Sequence, residues 1–379
     1  MLGKGLLVSL IGADRARRVG NALRTIVAAR ESPRIVTDKP SQLAAGAAYQ
    51  RYRRREGFII VDLVQDMLAP DDRFIILDGG AREAWTDPRW QAFVSGRVRL
   101  YGFEPDAAEV ERLNKEAAAR KLDYRYYPAG LWSRSGKAVF IANKSPGGGS
   151  FFEQNVSLTD RWRFESPQAH FLARDIFYPT AREEMAVTSV DDWARQANVT
   201  DLDFMKLNVQ GCELEILQGS TSLLDRVLGL MVEMSFAETY HNRPFFSDID
   251  AFLRSQDFAF FDFIGRHYIG RARSPIIVRH LPGMESSGLY GHLFEGHGIY
   301  FRDPIDMQAR GRDIAAFTTS KLLKLVCFAE MFGQVEYAFE LLLWHADRLD
   351  ERGDAVGAAS IRALADRAES TYRRVMGTA

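Results

Sequence analysis

From residue 58 to about 303 the chain alternates short, almost wholly apolar runs with stretches of helical periodicity, and that alternation narrows its fold more than any other property. The strand candidates are 74–77, 98–103, 124–127, 204–207, 230–234, 258–261 and 298–301, with helical patterns such as 107–119 and 213–224 between them. Strands that return through helices pair in parallel and are covered on both faces, which is why they read as continuous Val/Ile/Leu/Phe runs rather than as alternation. The expected fold class is therefore α/β, with a doubly wound, mostly parallel sheet over residues 58–303.

Two flanking regions differ in character. Residues 1–57 are basic, with Arg15, Arg17, Arg18, Arg24, Arg30, Arg34, Arg51, Arg53, Arg54 and Arg55, and Leu23, Ile26 and Val27 sit among them at helical spacing. A solvated amphipathic helix on the main domain gives this pattern, and so does a peripheral contact with an anionic membrane or glycolipid. Residues 304–379 read as an all-α appendage, a helical hairpin or three-helix unit broken at Gly333, with the last helix over about 356–375. A net charge of −1 gives no general attraction to nucleic acid, and none is expected as a partner. The two cysteines, Cys212 and Cys327, lack metal-like spacing and fit a reducing compartment. The apolar stretch 5–13 ends at Asp14 and Arg15, far short of the ~20 residues of a spanning helix. A cytoplasmic location follows as the expectation, with the basic segment available for peripheral membrane contact.

Chemistry concentrates at three strand ends. The run Ile75-Ile76-Leu77 ends in Asp78-Gly79-Gly80-Ala81-Arg82. In open α/β sheets ligands bind outside the carboxyl ends of strands, where glycine lets a backbone come close. Leu100 to Phe103 ends at Glu104, near the roughly 20-residue interval at which an acid meets a ribose diol in dinucleotide folds. NAD and S-adenosylmethionine both suit such a carboxylate, and Arg82 and Glu83, standing where a pyrophosphate-binding turn needs small residues, tilt the choice away from NAD. The third piece, Phe204 to Leu207, leads through Asn208, Gln210 and Gly211 into a helix carrying Glu213 and Glu215 in its first turn. Asn208 and Gln210 should share the rim with Asp78 and Glu104, while acids in a first helical turn also suit the helix dipole and need no chemical role.

Taken together with Ala129-Gly130-Leu131, Ser145-Pro146-Gly147-Gly148-Gly149-Ser150, Val190-Asp191-Asp192-Trp193, Val232-Glu233-Met234, Tyr240 and Asp257-Phe258, these pieces resemble the FkbM methyltransferases over roughly residues 72–303. The resemblance implies a Rossmann-like methyltransferase sheet and S-adenosylmethionine as cofactor. It also implies O-methylation of a hydroxyl on a carbohydrate, glycolipid or related natural product. Carried over, Asp78, Gly80 and Ala81 would meet the methionine end, Glu104 the ribose, and Ala129 and Gly130 the adenine, with Gly79 and Arg82 of the same turn also counted as cofactor-binding. The loop 145–150 would cover the acceptor. Methyl transfer to a hydroxyl gains from a base; Glu213 and Glu233 are the candidates, with Asn208 and Gln210 beside them and His241 as a further choice. His292 and His297 lack an accompanying carboxylate pattern, and no metal is expected. The family commonly has aspartate where this chain has Asn208, and glycine where it has Glu83 and Ala84. Those departures support a rival expectation, a non-catalytic binding or scaffold protein with a helical interaction tail.

Overall fold

The computed structural model describes residues 57–83, 96–165, 170–275 and 291–377. The chain divides into two compact units. One comprises Met1–Tyr52 with Arg373–Ala379, of which residues 373–377 are described, so the expected basic N-terminal segment lies almost entirely outside the described residues. The other, Arg53–Tyr372, carries the sheet.

The strands are β1 (Phe74–Gly79), β2 (Val98–Phe103), β3 (Asp123–Tyr127), β4 (Gly130–Leu131), β5 (Gly136–Asn143), β6 (Trp162–Glu165), β7 (His170–Leu172), β8 (Pro179–Thr188), β9 (Phe204–Leu207), β10 (Gly229–Ser235), β11 (Phe258–Arg271) and β12 (His292–Arg302). Nine form one sheet in the order β3-β2-β1-β9-β10-β12-β11-β6-β7. The first five pair in parallel, and β12, β11, β6 and β7 extend the sheet antiparallel. This is the doubly wound, Rossmann-like α/β class that the apolar runs indicated.

Both faces are covered. On one, Leu77, Met205, Leu207 and Val232 pack with Trp193 of α3 (Val190–Ala197) and Ile216 and Leu217 of α4 (Glu213–Gln218). Helix α1 (Ile59–Val64) precedes the sheet, and α2 (Ala107–Ala119) follows β2 with Asp106 as its cap, accepting from Ala108 N and Glu109 N. The pattern over 213–224 is two helices, α4 and α5 (Thr221–Leu224), not one. The break falls at Gly219, whose Cα lies so close to the Trp132 carbonyl that a Cβ would stand 2.6 Å from its oxygen.

Past α6 (Phe246–Ser255) and α7 (Pro304–Ala309), the C-terminal region is helical as read, in α8 (Thr319–Met331), α9 (Val335–Glu351) and α10 (Ala355–Met376). Helix α8 is built into the core: every residue from Leu322 to Met331 is buried. Phe328 sits edge-on to Phe74 with centroids 5.7 Å apart and 4.8 Å from Phe204, while Phe332 stacks on Phe204 at 5.3 Å. Polar ties fix this layer. The buried Asp203 carboxylate accepts from Ile75 N at 2.8 Å and pairs with Lys321 at 2.6 Å and Lys324 at 3.1 Å. Glu330, also buried, accepts from Ile59 N at 2.8 Å and Val61 N at 2.9 Å, satisfying donors that a helix start leaves open, and takes a bond from Tyr372. Glu330→Ala would leave two buried N–H groups without an acceptor, and should lower stability by about 2–3 kcal/mol in urea denaturation.

β11 and β12 run far beyond the short apolar runs that marked them, because the outer half of β11 is largely half-exposed or exposed and the pairing carries register shifts between Phe260 and Asp262 and on either side of His267. β4, β5 and β8 form a separate three-stranded sheet, β4-β8-β5, that the apolar pattern did not reveal. β8 is mostly exposed and carries Arg182, Glu183 and Glu184, so it has no apolar face to read. Among the described residues no helix is long and apolar enough to cross a membrane.

Candidate active site

The carboxyl ends of β1, β2, β9 and β10 meet at one edge of the sheet, where a cavity of about 270 Å³ opens. After β1 the backbone turns at Gly80 with φ +78°, and Gly80 N donates to Phe103 O at 3.1 Å. A Cβ there would lie 1.9 Å from Asn208 O, so only glycine fits between the first turn and the end of β9. Gly79 and Ala81 are buried in the turn rather than on the cavity wall; Asp78, 3% exposed, lies just behind that wall. Burial pushes the Asp78 carboxyl up and Lys206 pulls against it, with Nζ 2.8 Å from Oδ1.

Gly80, Arg82, Glu104, Ala129 and Gly130 line the cavity, as do Asn208, Gln210 and Glu233. Glu104 is 7% exposed, and burial raises its carboxyl above the ordinary glutamate value against Asp106 N and Arg82, which lower it. Its Oε1 accepts from Asp106 N at 3.1 Å and from Arg82 at 3.2 Å, while Arg82 also reaches Asp106 at 2.7 Å. Glu104 Oε2 has no hydrogen bond among the described residues. Gly130 is required where it stands, because a Cβ would meet the Phe151 ring at 2.4 Å.

Beyond the turn a polar chain crosses the floor. Gln210 Nε2 donates to Asn208 Oδ1 at 3.1 Å and reaches Glu233 Oε1 at 3.3 Å. Asn208 Nδ2 is 3.3 Å from His297 Nε2. Glu233 is 2% exposed; burial first, then the neighbouring Glu295 and Glu213 charges, push its carboxyl well up, and Arg243 at 3.7 Å pulls it back. Tyr240 Oη lies 3.0 Å from Gln210 Oε1 and 2.8 Å from Gly148 O, one proton between two acceptors. Through Gly148 O, and through Ser150 Oγ donating to Gln210 O at 2.7 Å, the glycine loop of 145–150 is tied to this floor, and Gly147 and Gly149 line the cavity.

Glu213 does not reach the cavity. Its carboxylate folds back on its own turn, accepting from Val209 N at 3.0 Å and Gly211 N at 3.0 Å, and so holds a loop in which Gln210 has φ +59° and Gly211 φ +109°. Its work is local, in keeping with the structural alternative for an acid at a helix start. His241 is exposed on the surface. His292 and His297, five residues apart on β12, fall on opposite faces of the sheet and do not converge. Among the described residues no three His, Cys, Asp or Glu side chains gather in a metal-binding group.

Sequence reasoning missed Lys206, His267, Glu295 and Arg243. Lys206, next to the end of β9 and beside Asp78, could have been found from strand register; His267 and Glu295, whose Nδ1 and Oε1 are 3.1 Å apart at the cavity, lie on the irregular β11–β12 pair and left no periodic signal.

Comparison with known proteins places this geometry. Residues 78–260 match the methyltransferase FkbM domain. The 2-O-methyltransferase NoeI of Sinorhizobium fredii is 24% identical over 170 residues, 45% of this chain; the match spans 66% of that relative's length, just under two thirds. Among solved structures, the methyltransferase FkbM from Methylobacillus flagellatus is 14% identical, with 66% of this chain and 50% of that one covered and a TM-score of 0.33. A SAM-dependent methyltransferase from Aquifex aeolicus is 10% identical, with 67% and 97% covered and a TM-score of 0.25. The fold assignment rests on the sheet order described above, not on these superpositions. The glycine turn after β1, the acidic end of β2 and the Asn208–Glu213 loop all lie within residues 78–260, the part of the chain that matches the methyltransferase FkbM domain.

Proposed function

We propose that the domain transfers a methyl group from S-adenosylmethionine to a hydroxyl oxygen of a carbohydrate, glycolipid or related acceptor. The observation that carries this reading is the pairing of the Gly80 turn with Glu104 at one end of a cavity whose other end is polar. The residues present fit the cofactor. Gly80 leaves the backbone bare where a Cβ has no room, and Glu104 keeps one carboxylate oxygen without a hydrogen bond among the described residues, available to a ribose hydroxyl. Ala129 and Gly130 offer small surfaces to an adenine ring. Bound S-adenosylmethionine supplies an electrophilic methyl carbon on a sulfonium.

The chain's own part is alignment and proton handling. Glu233 is placed to accept the acceptor hydroxyl's proton, and a carboxyl raised by burial is a better base near neutrality than an ordinary one. Gln210 orients it, and Asn208 orients Gln210. The carboxylate and amide groups, lining the same cavity as Phe140 and Phe151, suit a polyhydroxyl ligand that presents both hydroxyls and apolar ring faces.

Isothermal titration with S-adenosylhomocysteine tests the cofactor site. Glu104→Ala should weaken binding by about 10–100-fold, the loss of charge-assisted hydrogen bonds. Burial raises the Glu104 pKa, and the ionised form, with both oxygens as acceptors, binds a diol more strongly than the protonated one. Affinity should therefore fall with acid at a pH above the ordinary glutamate range, and Glu104→Gln should lack that limb. Absence of wild-type binding at millimolar ligand would sink the proposal.

A binding-only domain is the second reading, favoured by the amide at Asn208. It predicts cofactor affinity without methyl transfer from labelled S-adenosylmethionine to any hydroxyl acceptor, and gain of transfer in Asn208→Asp.

A further inference from the structure

Parallel pairing sets Lys206 opposite Asp78, so their side chains leave the sheet on the same face at the strand ends. Lys206 Nζ stands 2.8 Å from Asp78 Oδ1 and donates to Gly80 O at 3.0 Å. An ammonium has three N–H groups. Two are directed at Asp78 and the turn, and the third remains for the cavity that Lys206 lines. A lysine serving only as the counter-ion of Asp78 would gain nothing by standing on the wall, since Asp78 itself lies behind it. Arg82, the other strong cation of the lining, is committed to Glu104 and Asp106 at the opposite end of the turn.

Resting on the reading of this cavity as an S-adenosylmethionine site, we propose that Lys206 is a cofactor-binding residue that holds the α-carboxylate of the methionine moiety, with Asp78 and Gly80 O fixing its ammonium in position. The amino-acid end of the cofactor is a zwitterion, and the Lys206 ammonium on the wall, backed by Asp78 behind it, offers a cation to its carboxylate. With Glu104 at the ribose, Lys206 would hold the cofactor at a second point. Lysine is a compact point charge with three donors, able to hold Asp78, Gly80 O and a ligand carboxylate together.

The test compares S-adenosylhomocysteine with its decarboxylated analogue, which keeps the ammonium and lacks the carboxylate, by isothermal titration on the full chain. Wild type should bind S-adenosylhomocysteine about 10–100-fold more tightly than the analogue. In Lys206→Met that preference should collapse to near unity, even if the altered Asp78 environment weakens both ligands. Lys206→Gln, which keeps a donor for Gly80 O, guards against loss of the turn and carries the same expectation; circular dichroism reports whether each variant folds. A wild-type ratio near one, or a ratio unchanged in the Lys206 variants, overturns the assignment. Binding of neither ligand by wild type is a different outcome: it overturns the cofactor reading itself, and this assignment with it.

Discussion

Asp203→Ala is expected to lower the unfolding free energy by about 3–5 kcal/mol in urea denaturation of the full chain, the usual cost of removing one partner from a buried charge cluster. Asp203 is fully buried, and it is the common acceptor for Ile75 N, Lys321 and Lys324. Its removal leaves the Lys324 ammonium, 5% exposed and beside the Phe74 ring, with the Arg73 carbonyl but without its counter-ion, and takes the acceptor from the part-buried Ile75 N–H. Asp203→Asn should cost less, since an amide oxygen still accepts from Ile75 N. Lys321→Ala should cost less again, because that side chain also reaches the partly exposed Asp201 and lies nearer solvent. Equal losses in all three variants would show that the cluster is not the origin of the effect.

Gly80→Ala should abolish S-adenosylhomocysteine binding and destabilise the chain by about 2–4 kcal/mol, combining left-handed backbone strain with a collision against main chain. The atom struck is Asn208 O, 1.9 Å from where the new Cβ would sit, and a carbonyl cannot swing aside as a side chain can. Either the first turn or the β9 loop must move, and both line the cavity. Gly311 is the control: it has φ +71° with nothing within 4 Å of its Cβ position, so alanine there meets strain without collision, about 1 kcal/mol, and should leave binding intact. Wild-type affinity in Gly80→Ala would remove the turn from the site.

The parts legible in the sequence share one physical cause. β1, β2, β9 and β10 are largely buried on both faces, so their residues are mostly apolar, interrupted by Arg99, Lys206 and Glu233, and polar residues gather where each run ends. That is why Asp78, Glu104 and Asn208 could be placed at a common edge. β5 and β8 defeat the same reasoning because their exposed faces carry charges, and the outer half of β11 defeats it because register shifts interrupt the alternation. Glu213 shows another gap. Its position in a first helical turn was evident, but which way its carboxylate would face depended on the positive φ values of Gln210 and Gly211, and Gln210 gives no sign of one in its residue type. Lys206 was passed over for a simpler reason: a lysine inside an apolar strand reads as an interruption until its neighbour across the register is known to be Asp78.

The seating of Phe328 and Phe332 against Phe74 and Phe204 also bears on how the chain is made. α8 leaves the ribosome roughly 250 residues after β1, a delay of ~10–50 s at 5–20 residues per second. During that interval the central strands have no cover for one greasy side, so final closure of the sheet must wait for translation to reach residue 331. A nascent chain arrested short of that helix should therefore present a sticky surface that holdase chaperones recognise, and release from them should coincide with its emergence.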